Sequence, residues 1–150
     1  MMNGAITLAT LDGANIEIFD QVGEDNIVIF GLSANEVLNY NKFGGYSALD
    51  LYNSNRVIKR VVDDLVNGFI PNMEKEGRQI YDSLITYNDE YFVLIDMENY
   101  IEAQEKIDRL YKNKEKWNEM ALINIANSGV FSSDRTIAEY AEDIWFKGCE

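Results

Sequence analysis

The apolar residues of the first forty positions follow two different periods. Short apolar runs at residues 5–10 and 26–30 are bounded by glycine or polar residues, which predicts two buried strands. Between them apolar residues recur at helical spacing, and Gly23 is the predicted helix stop. These helical positions are Ala14, Ile18, Phe19 and Val22. A strand, a helix and a strand in about thirty residues predict the βαβ unit of a parallel sheet.

The pattern then becomes helical. Ser33 and Glu36 have the spacing of a capping box that opens another helix. A wide apolar stripe, ended by Gly68 and Pro71, predicts a helix. Its members are Ile58, Val61, Val62, Leu65, Val66 and Phe69. A further helix is predicted from about residue 76 to 87, whereas the run at 91–95 is either a short strand or an extended buried connector.

Three more helices complete the chain, each with an apolar face. The predicted inward residues are Tyr100, Ala103, Ile107 and Leu110 in the first, and Trp117, Met120 and Ala121 in the second. The last helix has Ile137, Tyr140, Ala141, Ile144 and Trp145 on one face. Ser133 or Asp134 is its predicted N-cap.

The predicted fold class is α/β with a helical majority. Residues 1–46 form a short parallel βαβ portion, and residues 47–150 form a helical region that we expect to pack with it as one unit. A two-stranded parallel sheet leaves both edges and both faces to be covered, so this is an unusual shape for an independent domain.

Charge excludes several classes of partner. The net charge of −13 disfavours binding to nucleic acids and to anionic membrane surfaces. The chain has no histidine, which removes the common nucleophile–base pairs and imidazole metal sites. No apolar run approaches the ~18 residues of a membrane helix. The single cysteine, Cys149, precludes an internal disulfide and indicates the cytoplasm.

One loop could carry chemistry. Asp12, Asn15 and Glu17 follow the first predicted strand, the position at which α/β proteins bind ligands. A sugar or phosphate site is one interpretation; the favoured one is that Asp12 caps the helix and Gly13 allows the turn. Residues 1–41 contain no lysine or arginine, so a phosphate nucleophile would need cations from elsewhere. Neither glycine-rich phosphate fingerprint occurs.

The other candidate features have structural interpretations as well. The nine tyrosines and two tryptophans could stack on sugar rings, but their helical spacing favours the core. Paired acids on the helices are typical of solvated faces, and abundance alone does not indicate a glycosidase pair. The segment 132–135 could bind an anion, although helix capping with an Asp134–Arg135 pair is favoured.

Three long stretches of this sequence resemble a known family. The stretches 3–17 (NGAITLATLDGANIE), 23–31 (GEDNIVIFG) and 124–145 (NIANSGVFSSDRTIAEYAEDIW) strongly resemble the α-glucan phosphorylases, the glycogen and maltodextrin phosphorylase family. The similarity spans nearly the whole chain in the right order and is looser between about residues 32 and 90.

The resemblance implies an activity for a larger protein. Members of this family remove terminal α-1,4-linked glucose from glucans with phosphate, using pyridoxal phosphate between two Rossmann-like domains of the GT-B type. This chain resembles their C-terminal part, with residues 1–46 ending the second Rossmann-like domain and the last helix bracing the first. The cofactor lysine would stand two residues before Met1. We therefore expect no catalytic, cofactor-binding or metal residue in this chain, no retained cofactor, and no activity in isolation.

The sequence leaves two other functions open. One is a non-catalytic helical interaction module that binds the remainder of a phosphorylase or another protein, with a homo-oligomer as a further outcome. The other is a small carbohydrate-binding domain that uses tryptophan and tyrosine platforms. A pyridoxal site rebuilt on one of the eight lysines is disfavoured, because all of them fall on polar faces or turns.

Overall fold

Helices dominate the computed structural model, which describes residues 1–147; Cys149 lies outside the described residues. The helices are Ala14–Val22 (α1), Ala34–Phe43 (α2), Ala48–Ser54 (α3), Arg56–Asp64 (α4), Glu74–Tyr81 (α5), Val93–Lys112 (α6), Lys114–Ala126 (α7) and Ser133–Tyr140 (α8). Two of them, α5 and α8, continue as π-helical turns over Asp82–Thr86 and Ala141–Trp145. No helix in this part of the chain is long and apolar enough to span a bilayer.

Two short strands form the sheet. Leu8–Ala9 (β1) pairs in parallel with Val28–Ile29 (β2), with Leu8 opposite Val28. The amide of Val28 donates to the carbonyl of Thr7 at 2.9 Å. The predicted βαβ unit and helical majority are confirmed, although each strand is shorter than the apolar run that predicted it.

The chain divides into two compact units. The first unit contains residues 1–9, 13–29 and 105–147, and the second contains residues 10–12 and 30–104. The sequence predicts a boundary between residues 46 and 47 with the two portions packed as one unit, and this stays a prediction.

The first unit is held by a buried amide on α7. Asn124 is fully buried, and its Nδ2 donates to the carbonyl oxygens of Asn26, 2.8 Å away, and Met120, 3.0 Å away. This links α7 to the turn that precedes β2. Met120 is fully buried beside it, so the prediction that Met120 faces inward is confirmed.

The second unit has an apolar core between α3, α4 and the start of α6. The buried residues of this core are Ala48, Tyr52, Ile58, Val62 and Leu94. Asn55 caps α4, its Oδ1 accepting the amides of Val57 at 2.9 Å and Ile58 at 3.2 Å. The cap fixes the start of the helix and so sets which face of α4 enters the core.

The apolar stripe predicted at 58–69 is only partly helical. Helix α4 ends at Asp64, and Phe69 beyond it is 69% exposed. Asn67 explains the end: its Nδ2 donates to Asp64 Oδ1 at 3.0 Å, and its Oδ1 accepts the amide of Phe69 at 2.9 Å. A side chain that satisfies local polar groups in this way competes with continued helix.

The run at 91–95 is neither a strand nor an extended connector. Phe92 has a left-handed backbone with φ of 59°, and α6 begins at Val93. The carboxylate of Asp89 accepts the amide of Leu94 at 2.7 Å and so caps this helix from outside it. On the same helix Ala103 is buried as predicted, whereas Tyr100 is 42% exposed.

Two predicted caps are wrong. Helix α1 follows Gly13 without a side-chain cap, and Asp12 instead accepts the hydroxyl of Thr10. Helix α8 has Ser132 at its N-cap position, again without a side-chain hydrogen bond.

Other local predictions concern the ends of the helices. Arg135 pairs with Glu139, one turn along α8, rather than with Asp134, because residues four apart share a helix face. The capping box of Ser33 and Glu36 and the helix stop at Gly23 are confirmed. The helix predicted at 76–87 corresponds to α5 with its π-helical turn.

Replacing Gly77 by alanine is expected to destabilise the chain strongly. A Cβ there would lie 1.9 Å from the carbonyl oxygen of Leu65, a backbone atom that cannot rotate away. Overpacking of this kind costs about 1–3 kcal/mol or more. The matched control is Gly129→Ala, where an added Cβ meets nothing within 4 Å. Urea unfolding followed by circular dichroism measures both; equal midpoints for the two variants would contradict the close approach.

Candidate functional site

A cavity of about 450 Å³ in the second unit is the candidate site. Thr10 and Phe30, the residues that directly follow β1 and β2, line it. Its other lining residues are Tyr91, Val93, Asp96, Met97 and Tyr100. The volume is within the range of about 300–1,000 Å³ that is usual for small-molecule sites.

Aromatic rings form much of the wall. The rings of Phe30 and Tyr100 meet edge to face, with centroids 5.1 Å apart. Tyr91 is 78% exposed at the mouth. An apolar wall with few polar groups can hold the face of a sugar ring or another apolar surface.

Among the described residues that line this cavity, Asp96 is the only one with a carboxyl group. Its Oδ1 accepts the amide of Leu32 at 2.8 Å. Gly31 is required beside it for two reasons: its φ is +82°, and a Cβ there would lie 2.6 Å from Asp96 Oδ2. The loop after β2 therefore fixes the position of the carboxylate.

The pKa of Asp96 is raised above its ordinary value. Burial is the largest cause, and the charges of Asp89 and Glu36 act in the same direction, while the hydrogen bond from the Leu32 amide acts against them. Asp96 thus lies in a negative environment that disfavours a further anion.

The residues singled out from the sequence do not line this cavity. Asp12 is exposed in the second unit, whereas Asn15 and Glu17 belong to α1 in the first. Thr10, the last residue of the first predicted strand, does line the cavity. Asp96 was missed because the run before it did not predict a helix; an acid directly after the apolar run 91–95 was the available signal.

The lining residues do not assemble a catalytic set. Hydrolysis of a glycosidic bond needs two carboxyl groups, and this cavity has one. Phosphate transfer needs fixed cations, and the cavity is lined by neither lysine nor arginine. Within residues 1–147 no group of three or more acidic, cysteine or histidine side chains could hold a metal ion. The lining is instead mainly apolar and aromatic, with one carboxyl group.

The described lysines do not fit a covalent pyridoxal site. Such a lysine needs burial and a lowered pKa. The Nζ of Lys59 lies 2.6 Å from the Tyr52 hydroxyl and 3.5 Å from Asp63 Oδ2, and the hydrogen bond with Tyr52 raises its pKa. Lys116 is half-buried and pairs with Glu119 at 3.1 Å. The remaining lysines are all exposed: Lys42, Lys75, Lys106, Lys112, Lys114 and Lys147.

Comparison with known proteins defines the class. The model of the carbohydrate phosphorylase family matches residues 1–147, and the chain belongs to this family. Glycogen phosphorylase of Bacillus subtilis is 54% identical over 145 residues, which are 97% of this chain and 18% of that protein. Glycogen phosphorylase of Synechocystis is 46% identical over 96% of the chain, and the human liver form 42% identical over 97%, in each case covering 17% of the relative. The chain thus spans less than a fifth of the length of these relatives.

Substitutions of Asp96 are expected to distinguish the effect of its charge on stability from the effect of its hydrogen bond. Because folding raises the pKa of Asp96, the folded state binds the proton more tightly than the unfolded state. Charged Asp96 therefore lowers stability at neutral pH, and the loss disappears as the pH falls through the folded pKa to the unfolded value. Asp96→Asn keeps an acceptor for Leu32 and should be as stable as the parent or more stable at pH 7, by up to about 1 kcal/mol.

Two controls accompany this measurement. The advantage of Asp96→Asn should shrink in acid, and Asp96→Ala should lose about 1–3 kcal/mol because the Leu32 amide loses its acceptor. Urea unfolding at several pH values measures all three proteins. An advantage of the asparagine variant that grows as the pH falls would contradict the direction of the pKa shift.

Proposed function

We propose that this chain is a C-terminal portion of a glycogen phosphorylase. The complete enzyme would release terminal α-1,4-linked glucose from a glucan as glucose 1-phosphate, on a two-domain GT-B fold. The observation that carries the proposal is the 54% identity to a bacterial glycogen phosphorylase across 97% of the chain. The low cysteine content supports a cytoplasmic enzyme.

The cofactor is proposed to reside in the remainder of the enzyme. Pyridoxal phosphate is expected for the parent protein, and the lack of a buried, unpaired lysine among the described residues supports a cofactor site outside this chain. The cation-free lining of the candidate cavity likewise supports a phosphate site elsewhere. On this proposal the chain alone binds no pyridoxal phosphate and is inactive.

The apolar face of α8 and its π-helical turn supports a partner surface. Ile137 is 54% exposed, Ile144 63% and Trp145 59%. Exposed apolar residues grouped on one helix face mark a surface that another protein segment covers. We propose that the remainder of the phosphorylase chain, with its glucan and phosphate sites, is that partner.

A non-catalytic interaction module is the second candidate. The same exposed face would serve a separate protein equally well, and the absence of a catalytic set among the cavity residues agrees with this function. The two candidates differ in whether the segment supports phosphorolysis when joined to the rest of the enzyme.

The isolated chain is expected to release no glucose 1-phosphate from glycogen and phosphate. The reason is that its described residues provide neither fixed cations at the candidate site nor a fitting cofactor lysine. A coupled assay at equal molarity, with intact Bacillus subtilis glycogen phosphorylase as the positive control, measures this. Release of glucose 1-phosphate that rises in proportion to the concentration of the isolated chain would contradict the proposal that the catalytic groups lie in the remainder of the enzyme.

A chimera tests the function directly. Replacing the matching segment of the Bacillus subtilis enzyme by this chain should preserve phosphorolysis to within about tenfold, because the two segments are 54% identical over 145 residues and cores tolerate volume-conserving substitutions. The same chimera with Gly77→Ala should lose soluble, active enzyme, whereas Gly129→Ala should not. A folded chimera that retains its cofactor but has no phosphorolytic activity would favour the interaction module.

A further inference from the structure

A second cavity of the second unit has a different character. It has a volume of about 360 Å³ and lies between the end of α2 and the loop before α6. The residues that define its chemistry are Tyr40, Asn41, Tyr46, Tyr87, Asn88 and Glu90. Neither the candidate site nor the proposed activity uses any of them.

Three packed rings stand along this cavity. The centroid of Tyr46 is 5.0 Å from that of Phe92 and 6.0 Å from that of Tyr40, and Tyr40 is 5.6 Å from Phe92. Phe92 is 7% exposed, so the trio is anchored at its base. Rings that pack against each other hold their positions and can offer a preformed apolar surface.

Hydrogen bonds fix the loop before α6, which forms the other side of this cavity. Asn88 and Asp89 have left-handed backbones, with φ of 60° and 45°. Asn88 Oδ1 accepts the amide of Ala48 at 2.8 Å, and Asp89 Oδ2 accepts the hydroxyl of Tyr46 at 2.6 Å. The loop is therefore tied to both the core and the ring trio, so hydrogen bonds of the fold itself fix this wall of the cavity.

Other polar groups of the lining are not used by the fold. Among residues 1–147, no hydrogen bond involves the side chains of Asn41 and Glu90. Tyr87 is 75% exposed and forms no ring pair within the same part of the chain. An exposed ring next to an amide and a carboxylate offers a stacking surface together with donors and acceptors.

The charge of the lining selects against anions. The cavity is lined by the acids Asp89 and Glu90 and by no lysine or arginine. A phosphate group would be repelled here, whereas a neutral polyhydroxylated molecule could donate its hydroxyls to Glu90 and Asn41. Rings for the apolar face of a sugar and oxygens for its hydroxyls are the expected partners of a carbohydrate.

We propose that this cavity binds a short stretch of neutral α-glucan, as a second glucan-binding site that takes no part in the reaction. The carbohydrate class follows from the rings, the unused polar groups and the missing cations. The choice of an α-glucan rests on the proposed function. A volume of about 360 Å³ limits the enclosed ligand to roughly one or two sugar units, so the rest of the polymer would extend into solvent.

The test is a titration of the isotopically labelled chain with maltoheptaose, followed by amide chemical shifts. Saturable shifts are expected at Asn41, Asn88 and Glu90. Tyr87→Ala should weaken binding at least about tenfold because the stacking surface is lost. Phe69→Ala is the matched control: Phe69 is an aromatic residue that is 69% exposed, against 75% for Tyr87, and it lines neither cavity. It should leave the affinity unchanged, and glucose 1-phosphate should produce no shifts at the same concentration.

Each contrary result overturns a stated part of the proposal. Absence of shifts at a large excess of maltoheptaose removes the site, and equal weakening by Tyr87→Ala and Phe69→Ala removes its assignment to this cavity. Equal binding of glucose 1-phosphate removes the preference for a neutral ligand.

The chimeric enzyme offers a second test of the site. There, Tyr87→Ala should raise the apparent KM for glycogen severalfold with kcat unchanged, and an unchanged KM overturns the site in the enzyme. Phosphorolysis by the unsubstituted chimera is a separate readout, so failure of the proposed function is distinguishable.

Discussion

A single buried carboxylate organises the second unit. Asp89 is 2% exposed, and one of its oxygens accepts both the hydroxyl of Tyr46, at 2.6 Å, and the amide of Leu94, at 2.7 Å. Burial of an acid is unfavourable unless hydrogen bonds replace its hydration, and these two bonds do so. Burial and the bond to Asp89 also raise the pKa of Tyr46, which keeps the hydroxyl a donor at any physiological pH. The start of α6 and the segment before α3 are held together as a result.

The strained loop around Asp89 is a consequence of the same arrangement. Left-handed backbones at Asn88, Asp89 and Phe92 are unfavourable for residues other than glycine. They persist because Asn88 accepts the amide of Ala48 and Asp89 caps α6. The strain places Phe92 among the tyrosine rings and puts Tyr91, the preceding residue, at the other cavity. One loop thus shapes both cavities of this unit.

The sequence predicted what depends on local spacing and missed what depends on distant partners. The βαβ unit, the capping box at Ser33 and the end of α1 at Gly23 follow from neighbouring residues, and all were found. The helix start at Val93 was missed because its cap comes from Asp89, held in turn by Tyr46, forty-three residues away along the chain. Apolar periodicity carries no record of such a bond. The same limit hid both cavities, since Asp96 and Tyr87 gain their surroundings only from tertiary packing.

The charge distribution argues for a division of tasks within the proposed enzyme. Phosphorolysis needs one surface that binds the glucan and a cationic surface that binds the phosphate, and the two have different electrostatic requirements. Both cavities described here are lined by acids and rings without a lysine or arginine, in a chain with a net charge of −13. Such surfaces suit neutral sugars and repel phosphate. On the proposed function, a segment of this kind supports glucan binding beside a phosphate site whose cations come from the remainder of the protein, and the chimera places the two together.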